Sequence, residues 1–155
     1  MIKEFYYHGS KSKIDKFTKL GQGKHGRGMY FTPDRNEASY FAKNLAGDGS
    51  SDLCRIYKVR LIASNPFNSM SVESSTLVGA YFGFKYKIPE FAGGAKEHYH
   101  HLQSQMKKRG IIESDQEMNS RLKEAGFDSV FYDLMEHLIV FDPDQVEIID
   151  QEVIR

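Results

Sequence analysis

Three short stretches carry side chains able to do chemistry. His8 stands near the end of "YYHGS", followed at once by Gly9 and Ser10. Residues 26–42, "GRGMYFTPDRNEASYFA", hold Tyr30 and Tyr40 ten positions apart. Glu136 opens "EHLIVFDPDQV", where an acid sits at the mouth of an apolar run. Taken singly, each has an ordinary structural reading: a solvated or structural histidine, core tyrosines, an exposed edge glutamate. As a set they have a chemical one. A fixed carboxylate stabilises a positive charge as it forms. Tyrosine faces attract flat cations. A glycine lets the backbone approach a ligand closely and offer one donor and one acceptor.

The elements that must position these groups follow from local patterning. "EFYYHG" is aromatic-rich and reads as a first strand, and "GMYFT" as a second. Between them "GQGKHGRG" (21–28) reads as a glycine-rich basic loop without regular structure. Thr32 as N-cap and Pro33 at the first helical position predict a helix with Ala38, Phe41, Ala42 and Leu45 on its apolar face, stopping at Gly47. The loop "GDGSSD" leads to "CRIYKVRL", whose alternation predicts a half-exposed strand, and "SNPF" closes that unit with a turn. Residues 69–94 have broken periodicity; a short helix and a covering loop are expected. Tyr99, Leu102 and Met106 mark one side of the next helix. Ser114 and Glu117 form a capping box for another that ends at Gly126. "FDSVFYD", "EHLIVFD" and "VEII" are three closely spaced strands, which argues for antiparallel pairing and an α+β domain. On the regular alternation of such a strand, Glu136 shares a face with Leu138 and Val140, and His137 faces the other way.

Bulk properties bound the partners. A chain of 155 residues suits one domain, 1–155. Lys plus Arg and Asp plus Glu both number 21, so net charge exerts no overall pull toward nucleic acid or an anionic membrane. The single cysteine, Cys54, cannot form an intramolecular disulfide. No stretch approaches the roughly 18 apolar residues of a membrane span, and "MIKEFYYHGSKSK" has no apolar signal core. A soluble, cytoplasmic protein with no membrane partner is expected.

His8–Gly9–Ser10, then Gly28–Met29–Tyr30–Phe31, then Tyr40, then Glu136, form an ordered set across most of the chain. This set resembles the catalytic domain shared by poly(ADP-ribose) polymerases and diphtheria toxin, the ADP-ribosyltransferases with a His–Tyr–Glu triad. The resemblance implies a split β-sandwich of two mainly antiparallel sheets with flanking helices, and NAD bound in the cleft between the sheets as ADP-ribose donor. It implies His8, Tyr30 and Glu136 as catalytic residues. His8 would bond the adenosine ribose, and Gly9 would grip the nicotinamide carboxamide, with Ser10 adjoining. Tyr30 and Tyr40 would sandwich the nicotinamide ring. Glu136 would bond the 2′-hydroxyl of the nicotinamide ribose. Lys24 or Arg27, in the place of the donor loop, would meet the pyrophosphate.

Two positions depart from the pattern. Counted back from Tyr40, the serine that holds the carboxamide in the polymerases is replaced by Glu37, with Ser39 nearby. Arginine-specific relatives carry Glu or Gln two residues before the catalytic glutamate, where this chain has Leu134. The chain also lacks room for the regulatory domain of many polymerases. The resulting expectation is a mono-ADP-ribosyltransferase with an unidentified macromolecular or small-molecule acceptor. Its alternatives are an NAD glycohydrolase or a silent NAD- or partner-binding module on the same fold. By analogy, a toxin or host-modifying role would add an antitoxin or host target as partner. "HYHH" (98–101) invites a metal reading, but His98 and His101 share a helix side with no carboxylate or cysteine to complete a set, so no metal is expected.

Overall fold

The computed structural model describes residues 2–18, 21–23, 25–45, 53–91 and 97–154. Among these are eight strands: β1 (Tyr6–Ser10), β2 (Gly21–Gly23), β3 (Gly26–Phe31), β4 (Cys54–Leu61), β5 (Pro66–Asn68), β6 (Ser129–Tyr132), β7 (His137–Val140) and β8 (Val146–Ile154). The α-helices are α1 (Arg35–Tyr40), α2 (Val72–Tyr86), α3 (His98–Lys108) and α4 (Met118–Glu124). One sheet has the order β1-β4-β8 and the other β2-β3-β7-β6-β5. All pairs are antiparallel except β5 with β6. This is the expected split sandwich with flanking helices. No helix among the described residues is long and apolar enough to cross a membrane.

Two apolar layers explain the sequence patterns. Tyr6, Tyr57 and Val59 from the first sheet meet Phe31, Leu138 and Val140 from the second. On the far side of the second sheet, Val130, Ile139 and Phe141 pack against Tyr99, Leu102 and Met106 of α3 and Met118 and Leu122 of α4. Residues 138–141 are therefore covered on both faces, which is why the run is continuously apolar rather than alternating.

Several elements differ from expectation for local reasons. The 21–28 segment is a hairpin: β2 pairs with β3 in the register Gly21↔Gly28 and Gly23↔Gly26. Asp34, not Thr32, caps α1 by accepting from the Asn36 N–H, while Thr32 Oγ1 accepts from the Asp34 N–H. "SNPF" contributes β5, parallel to β6. Ser114 makes no side-chain cap; a short 3-10 turn leads into α4. Residues 72–86 form a full helix capped by Ser71, which accepts from the Ser74 N–H. The last strand does not join its predecessor: β8 crosses to the first sheet and pairs with β4 over eight positions. Residues 92–94 and the whole of "GDGSSD", Gly47 included, lie outside the described residues.

The crossing from β7 to β8 is fixed by Gln145. Its Oε1 accepts from the Phe141 and Asp142 N–H groups at 3.1 and 2.8 Å. Its Nε2 donates to the carbonyls of Ile62 and Asp128 at 2.8 and 3.0 Å. One side chain thus ties the ends of β4, β6 and β7 together. Gln145→Ala strips four backbone groups of a partner and is expected to cost about 2 kcal/mol. In a thermal melt that is a midpoint lower by roughly 4–8 °C; an unchanged midpoint would remove Gln145 from this role.

Candidate functional site

Besides the apolar layer they share, the two sheets exchange backbone bonds at one edge. Tyr7 of β1 and Thr32, just past β3, exchange backbone bonds of 2.7 and 3.0 Å. Beside them, His8 Nδ1 lies 2.9 Å from the Tyr30 carbonyl. A carbonyl only accepts, so Nδ1 carries the hydrogen and Nε2 is left as an acceptor. Burial pushes the His8 pKa below 6.5, against the opposing pull of the Tyr30 carbonyl. The ring is therefore neutral near pH 7, and it is wedged against Phe17 and Phe31.

Two cavities adjoin this junction and share His8, Tyr30 and Phe41 as walls. The smaller, 280 Å³, is completed by Tyr7, Gly9, Phe31, Thr32, Ala38, Tyr40, Glu37 and His137. The larger, 750 Å³, is walled by Ser10, Gly21, Gly28, Met29 and the segment 12–18. A buried tyrosine of β4 holds that segment: the Tyr57 hydroxyl accepts from the Ile14 N–H at 2.5 Å and donates to the Ser12 carbonyl at 3.3 Å.

Gly9 has two distinct constraints. A Cβ there would fall 2.0 Å from the Ala38 carbonyl oxygen, so α1 seats directly on β1 only because position 9 is glycine. Tyr7 turns its N–H and C=O toward Thr32, and alternation turns those of Gly9 to the same edge. Beyond the Tyr7–Thr32 bridge that edge borders the smaller cavity, so Gly9 offers it a donor and an acceptor.

The tyrosines are held differently. Tyr30 is half-buried, and its hydroxyl donates to the Gly26 carbonyl at 2.5 Å and accepts from the His25 N–H at 3.0 Å. Tyr40, 57% exposed, leaves its ring free to meet a ligand. The hairpin under Tyr30 is pinned from α4, where Asn119 Nδ2 donates to the carbonyls of His25 and Arg27 at 2.9 and 3.0 Å. Asn119 Oδ1 accepts from the Tyr99 hydroxyl at 2.8 Å, and burial pushes that phenol's pKa well above its ordinary value. These partners lie some ninety positions from the hairpin in sequence, so the glycine-rich stretch gave no local sign of its order.

Glu136 sits in a turn, and a second acid, Glu37, lines the smaller cavity. Glu136 precedes β7 and takes φ +57°, a left-handed turn conformation. Its side chain is 45% exposed and lies 3.7 Å from Lys3 Nζ; it lines neither cavity. Within β7 alternation holds, with Leu138 and Val140 toward the first sheet and Ile139 on the opposite face, while Glu136 stands before the strand, in the turn. His137, expected to face away from the chemistry, lines the smaller cavity and is paired through Nε2 with Glu37 Oε1. Ser39 does not line it.

The cations also differ from expectation. Arg27 is exposed and lines neither cavity, and Lys24 lies outside the described residues. Lys13 and Lys16, from "SKSKIDK", border the larger cavity instead. Their repeated lysines close behind His8 were the available signal.

A family described as "ADP-Ribosyltransferase in polyvalent proteins" matches residues 3–154. The chain belongs to that family, which supports NAD-dependent ADP-ribosyl transfer as its general chemistry. No curated protein and no solved structure matches the chain.

The neutral His8 sets a pH dependence with a definite sign. As pH falls through 6.5 the unfolded chain takes up a proton before the folded ring does, so stability drops until the folded ring also titrates. Subtracting the stability–pH curve of His8→Gln from that of the parent, by urea unfolding between pH 8 and 5, should leave a difference that shrinks below pH 6.5. A flat difference would mean that His8 is not held neutral by burial.

Proposed function

We propose that the paired cavities hold NAD and that the chain transfers a single ADP-ribose to an acceptor. The observation that carries this reading is the junction at His8 and Tyr30, which serves as a wall for both chambers. The smaller chamber suits the nicotinamide end: Tyr30 and Tyr40 offer ring faces to its flat cation, and Gly9 offers its carboxamide a donor and an acceptor. The larger suits the adenosine end. Neutral His8 accepts from a ribose hydroxyl through Nε2, with Ser10 adjoining, and Lys13 and Lys16 meet the pyrophosphate.

The reaction begins with cleavage of the bond between nicotinamide and ribose. Nicotinamide leaves with the electron pair and becomes neutral, while positive charge grows on the sugar, as in glycoside hydrolysis. Glu136 is the carboxylate assigned to the nicotinamide ribose. Reaching it costs Glu136 its exposed pairing with Lys3, worth at most about 1 kcal/mol. The acceptor nucleophile then bonds to the sugar carbon and releases its proton. Glu37, held by His137, is a second carboxylate within the smaller chamber and the alternative for the same charge-stabilising role.

Labelled NAD, with and without cell lysate, separates the outcomes: label in macromolecules marks a transferase, and free ADP-ribose alone marks an NAD glycohydrolase. Glu136→Gln is expected to lower turnover at least about 100-fold while folding persists. If that variant keeps full turnover and Glu37→Gln loses it, the carboxylate assignment passes to Glu37. No NAD binding at millimolar concentration would overturn the whole reading. Lys13→Ala combined with Lys16→Ala should raise KM for NAD roughly 10-fold with kcat little changed, whereas Arg27→Ala should leave both alone.

A further inference from the structure

Away from the cavities, three metal-capable side chains converge. His25 Nε2 lies 2.5 Å from Glu97 Oε1, and His100 Nδ1 lies 3.0 Å from Glu97 Oε2. One ligand atom from each residue falls within 4.8 Å of the others. We propose that His25, Glu97 and His100 form a binding site for a divalent transition-metal ion of the zinc type, clamping the β2–β3 hairpin to α3.

The donor chemistry suits that ion. Two imidazoles and one carboxylate form a three-ligand set that zinc accepts, with water in the fourth position. Ligand atoms around tetrahedral zinc sit about 3.4 Å apart, so the observed spacing closes with small side-chain movements. The imidazole planes lie within 28° of each other with centroids 5.2 Å apart, and both nitrogens address the same carboxylate. The His25 side chain is 2% exposed and that of His100 is 35%, so the site is rooted in the protein and reachable from one side.

A second observation is independent of these distances. Glu97 is the N-cap of α3 and makes no side-chain cap bond. Serine, threonine, asparagine and aspartate are the residues that ordinarily cap a helix at this position. The chain instead spends the position on a longer carboxylate that reaches the two histidines. The Gly26 carbonyl and the His25 N–H that hold the Tyr30 hydroxyl lie at the same hairpin turn. A bound ion would therefore fix the footing of Tyr30 without touching a nucleotide. The set does not include His98 or His101, the pair that shares a helix side; its second histidine, His25, is 75 positions upstream of His100, beyond the reach of any spacing rule.

Cobalt(II) is the probe, added to the full chain without NAD, so the result is independent of the nucleotide reading. One equivalent should produce visible absorption bands of a four-coordinate site, bleached by zinc and reversed by EDTA. Saturating zinc should raise the melting midpoint by at least about 3 °C. His100→Asn, at the most exposed ligand, should weaken cobalt binding at least 10-fold, and His101→Asn on the same helix should not. X-ray absorption of the zinc-loaded parent should show two imidazoles and one carboxylate, a readout that needs no variant. Absence of cobalt bands, full binding in His100→Asn, loss in His101→Asn, or a sulfur ligand would each overturn the proposal.

Discussion

The bond between His8 Nδ1 and the Tyr30 carbonyl is the joint on which the rest of the molecule turns. It links a strand of one sheet to a strand of the other, beside their backbone bridge. Everything near it is arranged to keep it dry and fixed. Phe17 and Phe31 pack the ring, Gly9 brings α1 down onto the same strand, and Tyr57 holds the segment that closes over the far side. A neutral imidazole and a wall common to two chambers are consequences of one geometry: a backbone bridge and a buried ring side by side at one edge of the packed sheets.

What was legible in the sequence depended on whether the cause was local. The apolar side of α3, with Tyr99, Leu102 and Met106 fully buried, could be read from helical spacing. The doubly covered run 138–141 could be read from its lack of alternation. His8, Gly9, Tyr30 and Tyr40 stood out by type and order, and the fold brings all four to one chamber. The hairpin at 21–28 was illegible because a distant amide and a distant carboxylate order it. Glu37 was passed over because it stands on α1, 100 positions from its partner His137, and no sequence period records that meeting.

The left-handed Glu136 has its own significance. A non-glycine side chain at φ +57° costs of order 1 kcal/mol and persists only where its surroundings impose it. Here the tight link between β6 and β7 imposes it, at the residue the family resemblance singles out as the key acid. The exposed pairing with Lys3 is weak in water and further screened by salt. The carboxylate is thus anchored by its backbone and loosely tethered by its tip.

The path of β8 has a consequence for the timing of synthesis. The first sheet is assembled from the beginning, the middle and the end of the described chain: β4 is its centre, and β1 and β8 are its flanks. Gln145, which ties the crossing, also comes late. A ribosome-bound chain that has emerged only through β7 has most of the second sheet and the helices but lacks one whole flank of the first. Non-local pairing of this kind is slow and is completed last. Every residue that walls the two chambers has emerged by then, so the last strand completes the sheet behind the chambers rather than the chambers themselves.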